Sequence, residues 1–527
     1  MSRPRTVGRA ARDMGVSTAV SRSFGLLRVL VITAVLGTTF LGNTFQASNS
    51  VSNVLFELLA AGALSAVLVP TFVDLLDRGE QDEAERLAGG LLGLALIGLG
   101  VVAILGIVFA PALARALTAG NHNARIAAQQ RALSTYLLRF FVPQVILYAY
   151  GAIATAVLYA RRRFAVTAAA PIGNTLVIIA CLVAFRLQAG PTPGFDLSGT
   201  ERLLLALAGT GGVAAFVGTL AVACHASGFR LRPRRPDRDP AVRRLLALSF
   251  WGLFLNAGTG MLLGAALVIG NSVEGGVVAY QAAFVFFLAP YAVLAQPIHT
   301  AMLPEMSGEA ARGELEALAA SVRRGLGSMG LLVVPASVAY VVFAVPMMKV
   351  VSFGAVRGNG VELLAAGVAS LGIGLYAYGA FLLLARAYYA LGESRTPAVV
   401  AVVTAGVGVV VMAAGAARAH GAAKVAALGI GHSTAYLLAA VVLGVGLSRR
   451  TGRAVVPEHL ARTLAAAFGV GALSWLSMRA LAPHGRVATL VVTALVGGVA
   501  AAIYIAVLRV AGARLSLHPA PIPPASP

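Results

Sequence analysis

The chain has 527 residues, of which 58% are hydrophobic and only 12% charged. Such a composition excludes an ordinary soluble enzyme and indicates an integral membrane protein. The net charge of +21 would suggest nucleic acid in a soluble chain, but here the arginines sit between apolar stretches. No polar segment is long enough to house a nucleic-acid reader, so the charge reports membrane topology.

Met1 to Arg22 is basic and polar, and the first apolar run after it is long enough to span, so no cleavable signal peptide is expected. Runs of about 18 apolar residues or more indicate spanning helices. In chain order they lie near 24–42, 50–73, 88–114, 132–158, 165–186, 202–224 and 245–270, then near 277–303, 325–346, 361–385, 397–416, 424–446, 460–481 and 487–511. The expected fold is therefore an all-α membrane protein with fourteen transmembrane helices. The Pro-rich stretch 512–527 is expected to be a disordered tail. Cys181 and Cys224 lie in or beside apolar runs without metal-ligand spacing and are expected to be inert thiols.

An even helix count puts both termini on one side. Arg161-Arg162-Arg163, the run from Arg230 to Arg244 and the run from Arg449 to Arg462 choose the cytoplasm for that side. The Phe229–Arg244 loop is the longest polar segment between spans and contains Pro233, Pro236 and Pro240. It has the composition of a connector between two bundles.

The two sides of that connector resemble each other. Val69-Pro70 precedes Arg78-Gly79-Glu80, and Leu303-Pro304 precedes Arg312-Gly313-Glu314, with Arg78 and Arg312 offset by 234 residues. Leu158-Tyr159-Ala160 matches Tyr388-Tyr389-Ala390 at an offset of 230. Two landmarks in the same order predict parallel six-helix lobes, 1–228 and 245–450. Residues 451–511 would add helices thirteen and fourteen. Chance similarity in an Ala/Leu/Val-rich chain is the competing explanation. Parallel repeats place a substrate site near the midplane, at the repeat interface.

Polar groups within the spans are the candidates for function. Arg28 stands near the start of the first span, where a guanidinium needs protein, water or an anion around it. Gln46, Asn49, Asn53 and Glu57 are spaced 3, 4 and 4, which puts them along one helix face. That face should line a polar cavity or face the first span. Arg28 and Glu57 could instead form a structural ion pair. Arg22 could act with Arg28 or serve only as an interfacial positive charge. In the second half, Tyr280, Gln281, Tyr291, Gln296 and His299 occupy the eighth span, where Pro297 frees a backbone carbonyl. His299 could titrate during a cycle or be a hydrogen-bonded packing residue. Arg139 and Arg386 are further cationic candidates. No phosphate loop, zinc spacing or nucleophile–base pair occurs, so no catalytic residue, metal or cofactor is expected.

The chain resembles the MurJ/MviN family of lipid II flippases, within the multidrug/oligosaccharidyl-lipid/polysaccharide exporter superfamily. The residues carrying the resemblance begin with Ser21-Arg22, Gly25, Arg28 and Gly62-Ala63 leading to Val69-Pro70. Ala170-Pro171 with Asn174, the Pro290 to Pro304 stretch, and Arg386 through Tyr389-Ala390 to Arg395-Thr396-Pro397 continue it. The resemblance implies two six-helix lobes in a V around a cationic cavity, and a groove for a polyprenyl tail beside the last two helices. It implies an undecaprenyl-pyrophosphate-linked disaccharide-pentapeptide as substrate, moved from the inner to the outer leaflet, with Arg22 and Arg28 at the pyrophosphate.

With Gln46, Asn49, Asn53, Glu57 and Arg386, these arginines form the expected substrate-binding set. Membrane lipids and cell-wall synthesis proteins are the further expected partners of a monomer in the plasma membrane. The chain departs from the family at Asn43, where an aspartate is usual, and at Ser52, where a proline is. It also departs at Phe56 or Glu57, where the family has an arginine, at Ala61, where the family commonly has an acidic residue, and in the wholly apolar stretch from Ala282 to Phe287, where the family often has an arginine. Two other readings stay open: an exporter of small amphipathic cations, with Glu57 as the cation acceptor, and a non-transporting scaffold of cell-wall synthesis.

Overall fold

The computed structural model describes residues 24–56, 62–235, 240–356 and 359–510. Arg22, Glu57, Ala61, residues 236–239 of the connector and the expected tail lie outside the described residues. All regular structure within them is helical. The first helices are α1 (Phe24–Leu36), α2 (Phe40–Phe56), α3 (Gly62–Asp77), α4 (Gln81–Val108), α5 (Ala110–Leu117), α6 (Ala124–Phe141) and α7 (Gln144–Ala160). Next come α8 (Phe164–Ala189), α9 (Gly199–Ala226), α10 (Pro240–Gly270), α11 (Gly276–Pro290), α12 (Gln296–Ala311) and α13 (Leu315–Val351). The chain continues with α14 (Gly360–Ile373), α15 (Leu375–Ala390), α16 (Arg395–Arg418), α17 (Gly421–Thr451), α18 (Leu460–Leu481) and α19 (Arg486–Val510).

Among the described residues, ten helical lengths are long and apolar enough to cross a membrane, and α14–α15, bent by 43°, makes an eleventh. The chain is a multi-pass, all-helical membrane protein, and the fourteen expected spans are consistent with this count. The helices gather into two compact units. The first comprises Met1–Val285, Ser352–Leu363 and Ala416–Val425; the second comprises Phe286–Val351, Leu364–Gly415 and Ala426–Pro527.

The first span ends earlier than hydropathy predicts, at Leu36 rather than near residue 42. Gly37 adopts φ +69°, and a Cβ there would stand 2.5 Å from the Ala355 carbonyl oxygen. Thr39 then starts α2, its hydroxyl accepting from the Gly42 amide at 3.1 Å. A left-handed glycine followed by a threonine cap is a stop-and-start signal, which an average over apolar residues passes through. Consequently α2 begins ten residues before the expected second span.

Three further breaks have identifiable causes. Pro143 lacks an amide hydrogen and interrupts α6–α7; at this break the Phe140 carbonyl accepts from Thr210 Oγ1 at 2.8 Å. Before Pro297, residues Tyr291–Ala295 widen into a π turn, with the Gln296 amide donating to the Tyr291 carbonyl. Gly374 divides α14 from α15, where a Cβ would stand 2.6 Å from Ser433 Oγ. That hydroxyl donates to the Ser370 carbonyl at 2.8 Å.

The landmarks of the sequence repeat are helix ends of one geometry. After α3, the Gly79 amide donates to Leu76 and the Glu80 amide to Leu75; after α12, Gly313 donates to Ala310 and Glu314 to Glu309. After α7, Arg162 donates to Tyr159 and Arg163 to Leu158; after α15, Gly392 donates to Tyr389 and Glu393 to Tyr388. Each closes its helix through a left-handed residue: Gly79, Gly313, Arg162 or Gly392.

The beginning of the connector is strapped along α4. Phe229 is buried beside Phe72, with ring centroids 6.4 Å apart. The Arg230 amide donates to Glu85 Oε1 at 3.0 Å, and the Arg234 amide to the Gly89 carbonyl at 2.9 Å. A Cβ on Gly89 would lie 2.6 Å from the Arg232 carbonyl oxygen, and one on Gly93 only 1.8 Å from that of Arg234. Glycine is what lets the strap lie this close.

Candidate functional site

Between Leu41 and Asn53 every residue of α2 is buried except Gln46, Asn49, Val51 and Asn53. The expected polar stripe is thus the accessible side of an otherwise packed helix. Gln46 and Asn53 are half-buried and make no hydrogen bond to the described residues. Asn49 Oδ1 is shielded and unpartnered, held 2.9 Å from where a Gly209 Cβ would be. Amides at such positions within a span require water or a polar ligand nearby.

Arg28 is half-buried on α1, within electrostatic reach of the Tyr148 hydroxyl on α7. Six ion pairs occur among the described residues, and none includes Arg28. Behind Tyr148 lies a buried polar relay. Ser52 Oγ donates to Gln144 Oε1 at 3.1 Å, and Gln144 Nε2 donates to Thr210 Oγ1 at 3.0 Å. The Tyr148 hydroxyl also leans on Gln144 Oε1, at the 3.5 Å limit of a hydrogen bond. Phe56 packs on the Tyr148 ring, centroids 5.5 Å apart. The Tyr148 phenol and the polar relay beside it thus meet where α2 and α7 pack together, with the Arg28 cation on α1 within electrostatic reach.

Sequence reasoning missed Gln144 and Ser52. A glutamine immediately after a proline inside an apolar run was the available signal, since the proline exposes carbonyls that polar side chains must satisfy. Ser52, noted only as a departure from the family's proline, supplies the hydroxyl that meets Gln144.

Asn43, another departure on α2, is fully buried and serves structure. Its Nδ2 donates to the Val273 carbonyl at 2.7 Å. Its Oδ1 accepts from the Val277 and Val278 amides at 3.0 and 3.3 Å, at the start of α11. Gln281 likewise ties α11 to α2, donating to Ser50 Oγ at 2.7 Å. Tyr280 is wholly buried; Arg139 and Gln296 are exposed.

In the second unit, Arg386 is half-buried on α15, within electrostatic reach of Tyr291 and His299. An apolar cavity of about 650 Å³ lies among α13, α18 and α19, lined by residues including Pro335, Val338, Gly471, Ala501 and Tyr504. Its walls suit a hydrocarbon chain.

Comparisons place these features in context. A family model described as lipid II flippase MurJ matches residues 32–504. A probable lipid II flippase MurJ of Rhizobium tropici is 26% identical over 387 residues, 73% of this chain and 71% of that protein. The lipid II flippase MurJ of Burkholderia cenocepacia is 25% identical over 402 residues, 75% of each chain. Among solved structures, a lipid II flippase MurJ in an inward closed conformation superposes with a TM-score of 0.75 at 15% identity, over 95% of this chain and 99% of that one. An inward-facing multidrug resistance MATE family transporter of the MOP superfamily gives 0.64 at 12% identity, over 81% and 94%.

Proposed function

The chain belongs to the MurJ family of lipid II flippases, and on that premise we propose that it carries a polyprenyl-pyrophosphate-linked cell-wall precursor from the inner to the outer leaflet by alternating access. It is a transporter, with no covalent chemistry assigned to its residues. The observation that carries the reading within the structure is Arg28. This half-buried guanidinium sits on a short apolar helix, pairs with no described carboxylate and lies within electrostatic reach of the Tyr148 phenol. A fork of donors so placed suits phosphate oxygens.

We assign the half-buried polar stripe of Gln46, Asn49 and Asn53 to sugar and peptide groups, with Arg22, Glu57 and Arg386 completing the proposed substrate-binding set. The apolar cavity among α13, α18 and α19 would take the polyprenyl tail. Both termini and the connector face the cytoplasm of a plasma-membrane protein, and the repeated helix ends support two parallel six-helix lobes, 1–228 and 245–450, with 451–511 added. The chain is expected to work as a monomer. An exporter of organic cations would need a carboxylate at its site, and the described cluster around Arg28 contains none.

Expression in cells depleted of their own lipid II flippase tests the proposal. Restored growth and restored outer-leaflet precursor are the expected outcome. Failure to restore either, with the protein at normal level in the membrane, would refute it.

A further inference from the structure

A second apolar cavity opens in the second unit, with no lining residue in common with the one assigned to the polyprenyl tail. It measures about 570 Å³ and lies among α13, α15, α17 and the segment 452–460. Among the described residues that line it, two are charged, and both are cations, Arg449 and Arg453. Four of the lining residues form one stripe of α17. Leu437, Val441, Val445 and Arg449 recur at every fourth position, and all four are exposed. An exposed apolar stripe on a spanning helix faces hydrocarbon, so the cavity is open sideways to the bilayer. From Leu437 to Arg449 the helix rises about 18 Å, against about 15 Å for half of the hydrocarbon core. An apolar run one leaflet long that ends in a cation has the polarity of an anionic amphiphile.

The cavity exists because small residues stand where the first unit carries large ones. The helices α9 and α17 are each followed by a left-handed glycine, Gly228 and Gly452. Eight residues before these lie Leu220 and Gly444, and twelve before them lie Phe216 and Ala440. Counted likewise from Arg162 and Gly392, Tyr150 matches Ala380. In the first unit Leu220 is fully buried in a core against which Phe216 and Tyr150 pack. In the second, Ala380, Ala440 and Gly444 leave a groove. The match extends to the segment that follows α17. Gly327 stands 234 residues after Gly93, and a Cβ there would lie 2.7 Å from the His459 ring, as one on Gly93 would lie against Arg234. A Cβ on Gly444, by contrast, would meet only Leu384 and Val455, at 3.7 and 3.8 Å. Close packing does not demand a glycine at 444; its effect is to keep the groove open.

The basic end of the groove is available. No ion pair among the described residues includes Arg449. Arg453 meets Glu316 in an exposed pair at 3.1 Å, of a kind that contributes little and exchanges readily. The neighbouring Arg450 is paired with Glu393. The Val455 amide donates to Ser448 Oγ at 3.2 Å, which holds the segment 452–460 against the end of α17 and keeps Arg453 beside Arg449.

We infer that this groove binds one anionic phospholipid of the bilayer. An acyl chain lies beside Leu437, Val441 and Val445, and the headgroup phosphate sits at Arg449 and Arg453. The site does not rest on the function proposed above, because its occupant is a resident of the membrane and not the carried lipid.

The test uses the full-length protein in phosphatidylcholine nanodiscs. These are doped with a phosphatidylglycerol or a phosphatidylcholine probe that carries one photoreactive acyl chain. Mass spectrometry after irradiation reads labelling around Val441, relative to labelling around Val403, an exposed residue of α16 that serves as the bulk-lipid reference. The phosphatidylglycerol probe should label the groove about fivefold above the phosphatidylcholine probe, the ratio expected of one basic side chain at a membrane surface. Arg449→Gln should remove most of that preference. Gly444→Leu, which copies Leu220, should bring groove labelling down to the reference; Ala440→Phe, which copies Phe216, replaces it should that variant fail to fold. Equal labelling by the two probes, a preference unchanged in Arg449→Gln, or labelling unchanged in the filled variant would each overturn the site. Displacement of the probe by undecaprenyl pyrophosphate as readily as by unlabelled phosphatidylglycerol would also overturn it, giving the groove to the carried lipid. Growth of flippase-depleted cells is read separately, so either proposal can fail alone.

Discussion

Asn43 Nδ2 donates to the Val273 carbonyl at 2.7 Å, across 230 residues of chain. The same side chain accepts from the first amides of α11, so one neutral amide serves as donor and acceptor at once. A carboxylate could accept from the α11 amides, where negative charge is favoured, but could not donate to Val273. Asn43→Asp should therefore destabilise the fold by about 1–3 kcal/mol, since a buried carbonyl loses its partner and meets a like-charged oxygen. The unfolding midpoint in detergent measures this. An unchanged or raised midpoint would show that the departure from the family's aspartate is neutral.

Arg28→Ala should abolish transport, and Arg28→Lys should keep only part of it, because lysine replaces a planar fork with a point charge. Precursor accessibility in the outer leaflet, at equal protein level, is the measurement. If Arg28 instead served only to neutralise Glu57, the double change Arg28→Ala with Glu57→Ala would restore transport, since no charge would be left unpaired. Full activity of that double variant would remove Arg28 from substrate binding.

The polar stripe on α2 and the arginine before it were legible because their spacing is periodic and their residue types are costly in a span. The division between α1 and α2 was not, because it depends on the φ of Gly37 and a close contact with Ala355 far along the chain. Gln144 carried a local signal in the preceding Pro143, but its role did not show for a related reason. Its partners, Ser52 and Thr210, lie 92 and 66 residues away, and nothing local announces them. The repeat was legible at its helix ends because those ends are built from short hydrogen-bonded rings with strict backbone demands.

Arg162 occupies a left-handed position, at φ 57°, where the matching helix end carries Gly392. A side chain there is strained by about 1–2 kcal/mol, partly offset by the greater freedom glycine has when unfolded. Arg162→Gly should therefore stabilise by about 0.5–1 kcal/mol. A lowered unfolding midpoint would mean that the Arg162 side chain makes a contribution larger than its strain.

Arg235 and Glu274 are both exposed, and the proposed orientation would have them on opposite sides of the membrane. With Cys181 and Cys224 replaced, Glu274→Cys should react with a membrane-impermeant thiol reagent in intact cells, while Arg235→Cys should react only after permeabilisation. The opposite pattern would invert the orientation proposed above.

The strap along α4 has a consequence for proteolysis. Its sequence, with Arg230 and Arg234 not followed by proline, invites trypsin. A protease, however, needs several residues to detach and extend into its cleft, and here the Arg230 and Arg234 amides are already engaged while two glycines seat the backbone against a helix. Cleavage after Arg230 or Arg234 should be slow in the folded protein, and Gly93→Ala, which pushes the strap off, should make it fast. An arginine-rich segment can thus be chemically inviting yet mechanically closed, its safety written in the glycines of a neighbouring helix rather than in its own residues.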